Sequence, residues 1–427
     1  MVRWMGPTLL FDKSFLQSLN VDEATIFDQL FSCVMTPLFF AETLGTLAKD
    51  GTQGKHPESI VASLAEKTPV AHSYMNAFHS RLMLNEMLGM NVELSRRPNV
   101  AGGVPVNIDG KSGLVYNKSP EDEAFERWQR GLFSDVERIV AAVWREQLGT
   151  INLPGIANAF KAIVRKEARP KNHAEAKALA KAIIDAPGQS YRGLILAYGL
   201  LDFPPEELKR VLGVWKARGR LPLKEFAPYT AHCLLIDLYF YLALSNGLIS
   251  DQRASNKIDI GYLYYLPFVQ VFVSGDRLHR TAAEHFVEAK QTFVWGPDLK
   301  ADLARLNKHF LALPDDQKAR GLFTLITRPP VEDEGVSAQL WDKFRPGWRE
   351  PKPPSPKMSK EQSERIISAG NQFIKAAEGK ESERYPKDFP AQDQLDSLII
   401  QRHIPRTRGS WRMFSAEVER QEDKREL

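Results

Sequence analysis

Two short apolar runs in the chain end in an acid. The first is Thr8-Leu9-Leu10-Phe11-Asp12, and the second is Val269-Gln270-Val271-Phe272-Val273-Ser274-Gly275-Asp276. Runs this short and this apolar predict strands buried on both faces, as in a parallel sheet. Ser32-Cys33-Val34-Met35-Thr36 predicts another strand, and Thr292-Phe293-Val294-Trp295 a further one. Helical patterns lie between them. Asp22 and Glu23 suit the first turn of a helix reaching Phe31, where their charge complements the helix dipole. Pro37 opens the next helix, and Glu42 lies about one and a half turns into it. Further helices are predicted over 229–248, over 257–265 opened by Asp259, and over 281–290. Strands alternating with helices at both ends of the chain predict an α/β fold around a central parallel sheet.

The pattern changes between these ends. Helices are predicted over 69–90, 121–147, 173–186 and 205–217. Asp109-Gly110 marks a tight hairpin turn within 103–116. This stretch lacks strand–helix alternation and reads as a mainly helical insertion. Past 348, the proline-rich 351–357 is a stiff, extended linker. A helix over 359–377 follows, opened by a Ser359/Gln362 capping box, and then a polar, flexible tail. The expected division is a core formed by 1–50 and 228–348, an insertion over 51–227, and a linker and tail over 349–427.

The composition of the 427 residues, 43% hydrophobic and 26% charged, is that of a globular protein and argues against a disordered chain. A net charge of +4 permits an anionic partner without requiring one. The two cysteines, Cys33 and Cys233, have neither zinc-site spacing nor the numbers for a disulfide framework. That suits a reducing cytoplasm. No long apolar core precedes Asp12, so the start does not read as a signal peptide. The most apolar segment, 233–249, contains Asp237 and Asn246 and is short for a membrane span, so a buried helix is expected and no membrane association.

Ligands of open parallel α/β sheets bind at the carboxyl ends of strands. Asp12 and Asp276 each close a strand there. Clustered carboxylates repel unless a cation or proton joins them, and an all-oxygen set selects Mg²⁺ or Mn²⁺. Taken singly, Asp12, Asp259 and Asp276 also suit helix caps. Glu42, among Phe39, Phe40, Leu44 and Leu47, suits either a ligand or an exposed helix face. Asp237 is either a further acid or the partner of a nearby Arg or His. His279, with Arg277 and Arg280, reads as a phosphate contact or as a solvated helix start. The 402–412 segment mixes Arg402, Arg406, Arg408 and Arg412 with Trp411, suiting either a nucleic-acid backbone with one stacked base or a solvated tail.

Four blocks taken in order resemble the PIN domain. Leu9-Leu10-Phe11-Asp12-Lys13-Ser14 is similar to its opening of hydrophobic strand, Asp, any residue, Ser. Thr36-Pro37-Leu38-Phe39-Phe40-Ala41-Glu42 resembles its second block. Asp259-Ile260-Gly261-Tyr262-Leu263, followed by Val271-Phe272-Val273-Ser274-Gly275-Asp276, looks like its ending. The resemblance covers 7–50 and 228–300. It implies a PIN-like three-layer α/β/α fold and a divalent-metal-dependent endonuclease, with RNA favoured over DNA. Asp12, Glu42, Asp259 and Asp276 would be the catalytic metal-binding acids for Mg²⁺ or Mn²⁺, with Ser274 orienting water. Lys13, Arg277, His279 and Arg280 would face the nucleic acid, and an inhibitory protein partner is possible for a nuclease of this kind. The alternative is a catalytically inactive PIN-like module that binds nucleic acid or protein.

Overall fold

A computed structural model describes residues 6–49, 56–100, 102–186, 190–351, 359–380 and 395–423. Its strands are β1 (Thr8–Phe11), β2 (Ser32–Met35), β3 (Ser73–Met75), β4 (Gly103–Ile108), β5 (Lys111–Tyr116), β6 (Val271–Ser274), β7 (Thr292–Trp295), β8 (Ser397–Ile400), β9 (Thr407–Arg408) and β10 (Trp411–Arg412). Five of them form a parallel sheet in the order β3-β2-β1-β6-β7. The central strand β1 places Leu9 beside both Cys33 and Val271. Leu9 and Leu10, which point to opposite faces, are both fully buried, so the sheet is covered on each side. The fold is therefore α/β with a central parallel sheet among many helices. Among these, Val21–Leu30 packs on Gly296–Leu311, and Pro228–Ser245 is buried nearly all round.

The strand order fixes where a ligand belongs. The chain runs outward from β1 through β2 to β3, then returns to the other side of β1 with β6 and β7. The order reverses between β1 and β6, and crevices open at the carboxyl ends of strands at such a reversal. Asp12 ends β1, and Ser274 closes β6.

Several predicted elements differ from those observed. In place of one helix over 69–90 there is β3, preceded by a helix at Pro57–Lys67 and followed by another at His79–Met87. The Asp28 carboxylate accepts hydrogen bonds from the backbone N–H groups of Val70, Ala71 and His72 and fixes the bend that leads into β3. A strand of three residues is too short to register as a period-two pattern. The expected helix over 121–147 is two helices, Pro120–Gln129 and Asp135–Thr150. Gly131, at φ 70°, breaks them, and Ser134 caps the second with Glu137. The hairpin is present, with Asp109 and Gly110 both at positive φ. So is the capping box of the helix Lys360–Ala377. Most of the predicted linker, 352–357, lies outside the described residues.

The tail, expected to be flexible, contributes ordered structure. β8 pairs in parallel with β5. The Arg408 guanidinium is buried 2.9 Å from Asp28 and donates to the Thr68 carbonyl at 2.8 Å. Arg402 lies 4.7 Å over the Tyr74 ring, and buried Trp411 donates to the Asn307 side chain. The segment 402–412 is thus a strap on the core, neither a solvated tail nor an open nucleic-acid track. Asp237 is paired with Lys257 at 2.6 Å and with Tyr264, not with an Arg or His. Cys33 and Cys233 are buried and unbridged. Among the described residues no helix is long and apolar enough to cross a membrane.

Two histidines packed into this core make stability depend on pH. Burial pushes His79 down to about 3, helped by the charge of Lys257. Burial likewise pushes His232 down to about 4, against its hydrogen bond to the Leu263 carbonyl. The unfolded chain takes up protons near the ordinary value of 6.5, while the native chain resists until far lower. Stability from these groups is therefore lost as pH falls from 6.5 towards 4, by at most about 1.4 kcal/mol per pH unit for each proton. Urea unfolding of His79→Asn beside the parent chain checks this. The variant is expected to show the shallower loss between pH 6.5 and 4.5.

Candidate active site

Asp12 is the first residue past β1 and caps the helix Lys13–Ser18, one carboxylate oxygen accepting from the Phe15 N–H at 3.0 Å. Capping thus accounts for only half of this carboxylate. The other oxygen accepts from the hydroxyls of Ser14 at 2.7 Å and Ser274 at 2.8 Å. Ser274, fully buried at the end of β6, also accepts from the Asp276 N–H at 2.9 Å. Asp276 caps the helix Arg277–Phe286 through Leu278. One hydroxyl therefore joins the ends of the two strands that flank the sheet's reversal.

Sequence reasoning misplaced His279. It is only 1% exposed, which excludes a solvated helix start and a surface contact with phosphate. Its Nδ1 lies 2.8 Å from the Ser274 hydroxyl and 3.4 Å from Asp12, and its Nε2 lies 2.6 Å from the Asp259 carbonyl. Burial alone would lower its pKa, but the hydrogen bond and charge of Asp12, with the charge of Asp259, raise it to about 9. As a cation it donates from both ring nitrogens, and the Ser274 hydroxyl passes the chain of bonds on to Asp12. Burial works to raise the Asp12 pKa, yet the bond and charge of His279, with Ser14 and Phe15, hold it below the ordinary carboxylate value.

Glu42 lies in the helix Pro37–Leu44, capped by Thr36. Its carboxylate accepts from the Tyr262 hydroxyl at 2.5 Å. Burial raises its pKa, against Tyr262 and Lys13. Tyr262 escaped the sequence reading, although it stands three residues after Asp259 and so shares a helix face with it. Asp259 sits inside the helix Asn256–Gly261, whose cap position is Ser255, so capping does not explain it. Burial, then the charges of Glu42, Asp276 and Asp12, push Asp259 up to about 7 against the opposing charge of His279.

The cations expected to face nucleic acid are arranged unequally. The Lys13 amine turns inward, donating to the Glu42 carbonyl at 2.8 Å and to Thr46 at 2.5 Å. Burial lowers it to about 8, although Glu42 opposes the shift. Arg277 is exposed, and exposed Arg280 lies 5.0 Å over the Trp295 ring. Beside the acids, a cleft of about 420 Å³ is lined by Ser14, Gly275, Gly296, Ala301 and Ala304, with Lys300 on its wall.

Asp259 thus senses the charges of Glu42, Asp276 and Asp12, and Glu42 that of Asp12, and the donor set is all oxygen, as a hard divalent cation requires. In chemical type the set fits Mg²⁺ or Mn²⁺. As the side chains stand, hydrogen bonds from Ser14, Ser274 and Tyr262 hold Asp12 and Glu42, and among the described residues no three His, Cys, Asp or Glu side chains are grouped to hold a metal ion. No protein-family model, curated protein or solved structure matches the chain.

Proposed function

We propose that this chain is a divalent-metal-dependent nuclease of the PIN-like kind, hydrolysing phosphodiester bonds, with RNA favoured over DNA. The observation that carries the reading is the meeting of Asp12 and Ser274, ends of adjacent strands at the sheet's reversal, with Glu42 and Asp259 feeling the charge of Asp12, and Asp259 that of Asp276. These four acids would hold Mg²⁺ or Mn²⁺, which when bound supplies a lowered pKa for water and neutralises charge on the phosphate. The chain's own residues do the rest. Ser274 and Ser14 fix the Asp12 carboxylate, His279 balances its charge, and Tyr262 fixes Glu42. The adjoining cleft, walled by small side chains, would receive the nucleotide, and Lys300 on its wall would have to leave Glu23 and the Ser18 carbonyl to meet a phosphate.

The test is incubation with single-stranded RNA and DNA in Mn²⁺, Mg²⁺ or EDTA. Cutting that EDTA abolishes supports the reading, and its absence under all conditions overturns it. A Tyr262→Phe variant is expected to bind Mn²⁺ about 10- to 100-fold more weakly, the usual loss when a ligand's hydrogen-bond partner is removed. Calorimetric titration with Mn²⁺ checks this.

A second reading is a catalytically inactive module that binds nucleic acid or protein. The internal satisfaction of Asp12 and Glu42 by Ser14, Ser274 and Tyr262 favours it, because these carboxylates are already balanced without a metal. It predicts nucleic-acid binding that neither metal nor EDTA alters.

A further inference from the structure

Another cavity lies at the opposite end of the sheet from the acids. It encloses about 210 Å³ beside the amino ends of β6 and β7, where Pro267 and Gln291 precede the strands. Sites for drug-sized ligands run to about 300–1,000 Å³, so this space suits a smaller molecule.

Its frame is fixed by hydrogen bonds that involve no ligand. The buried Gln291 side chain donates to the carbonyls of Leu266 at 2.6 Å and Val269 at 2.9 Å, and accepts from the Glu288 N–H at 3.0 Å. The Arg96 N–H donates to the Pro267 carbonyl at 2.9 Å, and the Arg96 carbonyl accepts from the Thr8 hydroxyl at 3.0 Å. Arg96 stands at φ 61°, in the left-handed region that glycine or asparagine enters more easily. Holding an arginine in such backbone costs energy, and residues of this kind gather at ligand clamps.

The polar groups on the wall are unevenly satisfied. Arg96 donates through Nη2 to Glu288 at 3.1 Å, but its Nε–H is buried without an acceptor, so one arm of the guanidinium fork is unused. The Glu288 side chain is 69% exposed, and a pair so open to water contributes little and separates readily. His232 donates from Nε2 to the Leu263 carbonyl at 3.0 Å. A carbonyl takes only a donor, and burial holds the imidazole neutral above about pH 4, so Nδ1 is a bare acceptor. Among the described residues nothing donates to it. Leu94, Leu266 and Phe286 supply an apolar wall beside these groups.

The chemistry of the wall selects the occupant. An anion alone would take Arg96 and leave Glu288 without its cation. A cation alone would do the reverse, and a neutral apolar molecule would leave the fork and the His232 acceptor unmet. A molecule that carries both charges side by side, with an apolar group attached, meets all of them at once. We propose that the cavity binds a free α-amino acid with an apolar side chain. Its carboxylate takes the Nε and Nη2 of Arg96, its ammonium donates to Glu288 and His232, and its side chain lies on Leu94, Leu266 and Phe286. The site is separate from the candidate active site and does not rest on the nuclease reading.

Calorimetric titration of the full chain with L-leucine and L-phenylalanine tests this. Both are expected to bind saturably at millimolar concentration or below. N-acetylleucine lacks the ammonium, as a peptide's carboxyl end does, and leucinamide lacks the carboxylate, as a peptide's amino end does. Each is expected to bind at least tenfold more weakly than leucine, as are L-aspartate and L-lysine. Arg96→Gln and Glu288→Gln should each weaken leucine at least tenfold, while circular dichroism and the urea midpoint match the parent, since both side chains reach solvent. Absence of saturable binding by leucine and phenylalanine overturns the proposal, as does leucine binding that either variant retains. Equal binding of N-acetylleucine would make this a site for an anion or a peptide carboxyl end. Equal binding of leucinamide would make it a site for a cation or a peptide amino end, and either result overturns it.

Discussion

An Asp12→Asn variant is expected to lose about a thousandfold in metal-dependent phosphodiester cleavage and to unfold at a lower urea concentration, since buried His279 loses its countercharge. The amide keeps an oxygen for the Phe15 N–H, so the cap of Lys13–Ser18 survives. What disappears is the negative charge to which Ser14, Ser274 and His279 are directed. A metal's stabilisation of transition-state charge is worth several kcal/mol, and each ~1.4 kcal/mol is tenfold in rate. Single-turnover cleavage of RNA in Mn²⁺, measured for both chains, reads the effect. Equal rates would remove Asp12 from the site and with it the adjacency of β1 and β6 as the basis for the proposed chemistry.

Replacing Arg408 with alanine is expected to destabilise the protein by about 3–5 kcal/mol, the usual cost of removing one partner of a buried ion pair. The magnitude follows from what is left behind. Asp28 is completely buried, and its carboxylate already takes three backbone N–H groups, so it would retain those bonds without its countercharge. The carbonyls of Thr68 and Glu66 would lose donors as well. Equilibrium urea unfolding checks the size. An Asp28→Asn/Arg408→Met double variant should recover part of the loss, because it leaves no uncompensated charge.

The core strands were legible because their signal is local. β1, β2, β6 and β7 are apolar runs bounded by turn or capping residues, and Pro37 and Thr36 announce the helix that carries Glu42. The acids were legible for the same reason, each standing next to such a run. β3 was not, since three residues show no period and the bend that leads into them is tied to Asp28, some forty positions away. Nor was the strap: Arg402, Arg408 and Trp411 look like any basic, aromatic stretch until Asp28, Tyr74 and Asn307 are brought to them. His279 failed differently. Flanked by Arg277 and Arg280, it shares their polar character in sequence, whereas helical geometry turns it inward and them outward. Tyr262 was hidden among tyrosines that pack the core nearby.

The pairing of Asp28 with Arg408 spans 380 positions of the chain, and this gives the order of synthesis a structural meaning. Asp28 leaves the ribosome long before its countercharge does. Throughout most of elongation the edge of the sheet at β3 and the hairpin β4–β5 lack the strap that finishes them. A chain cut short before position 397 therefore has a buried carboxylate facing no cation and, without β8, an unpaired strand edge at β5. Such a product carries the acids of the candidate site yet cannot close the fold around them, which exposes it to proteolysis ahead of the finished chain.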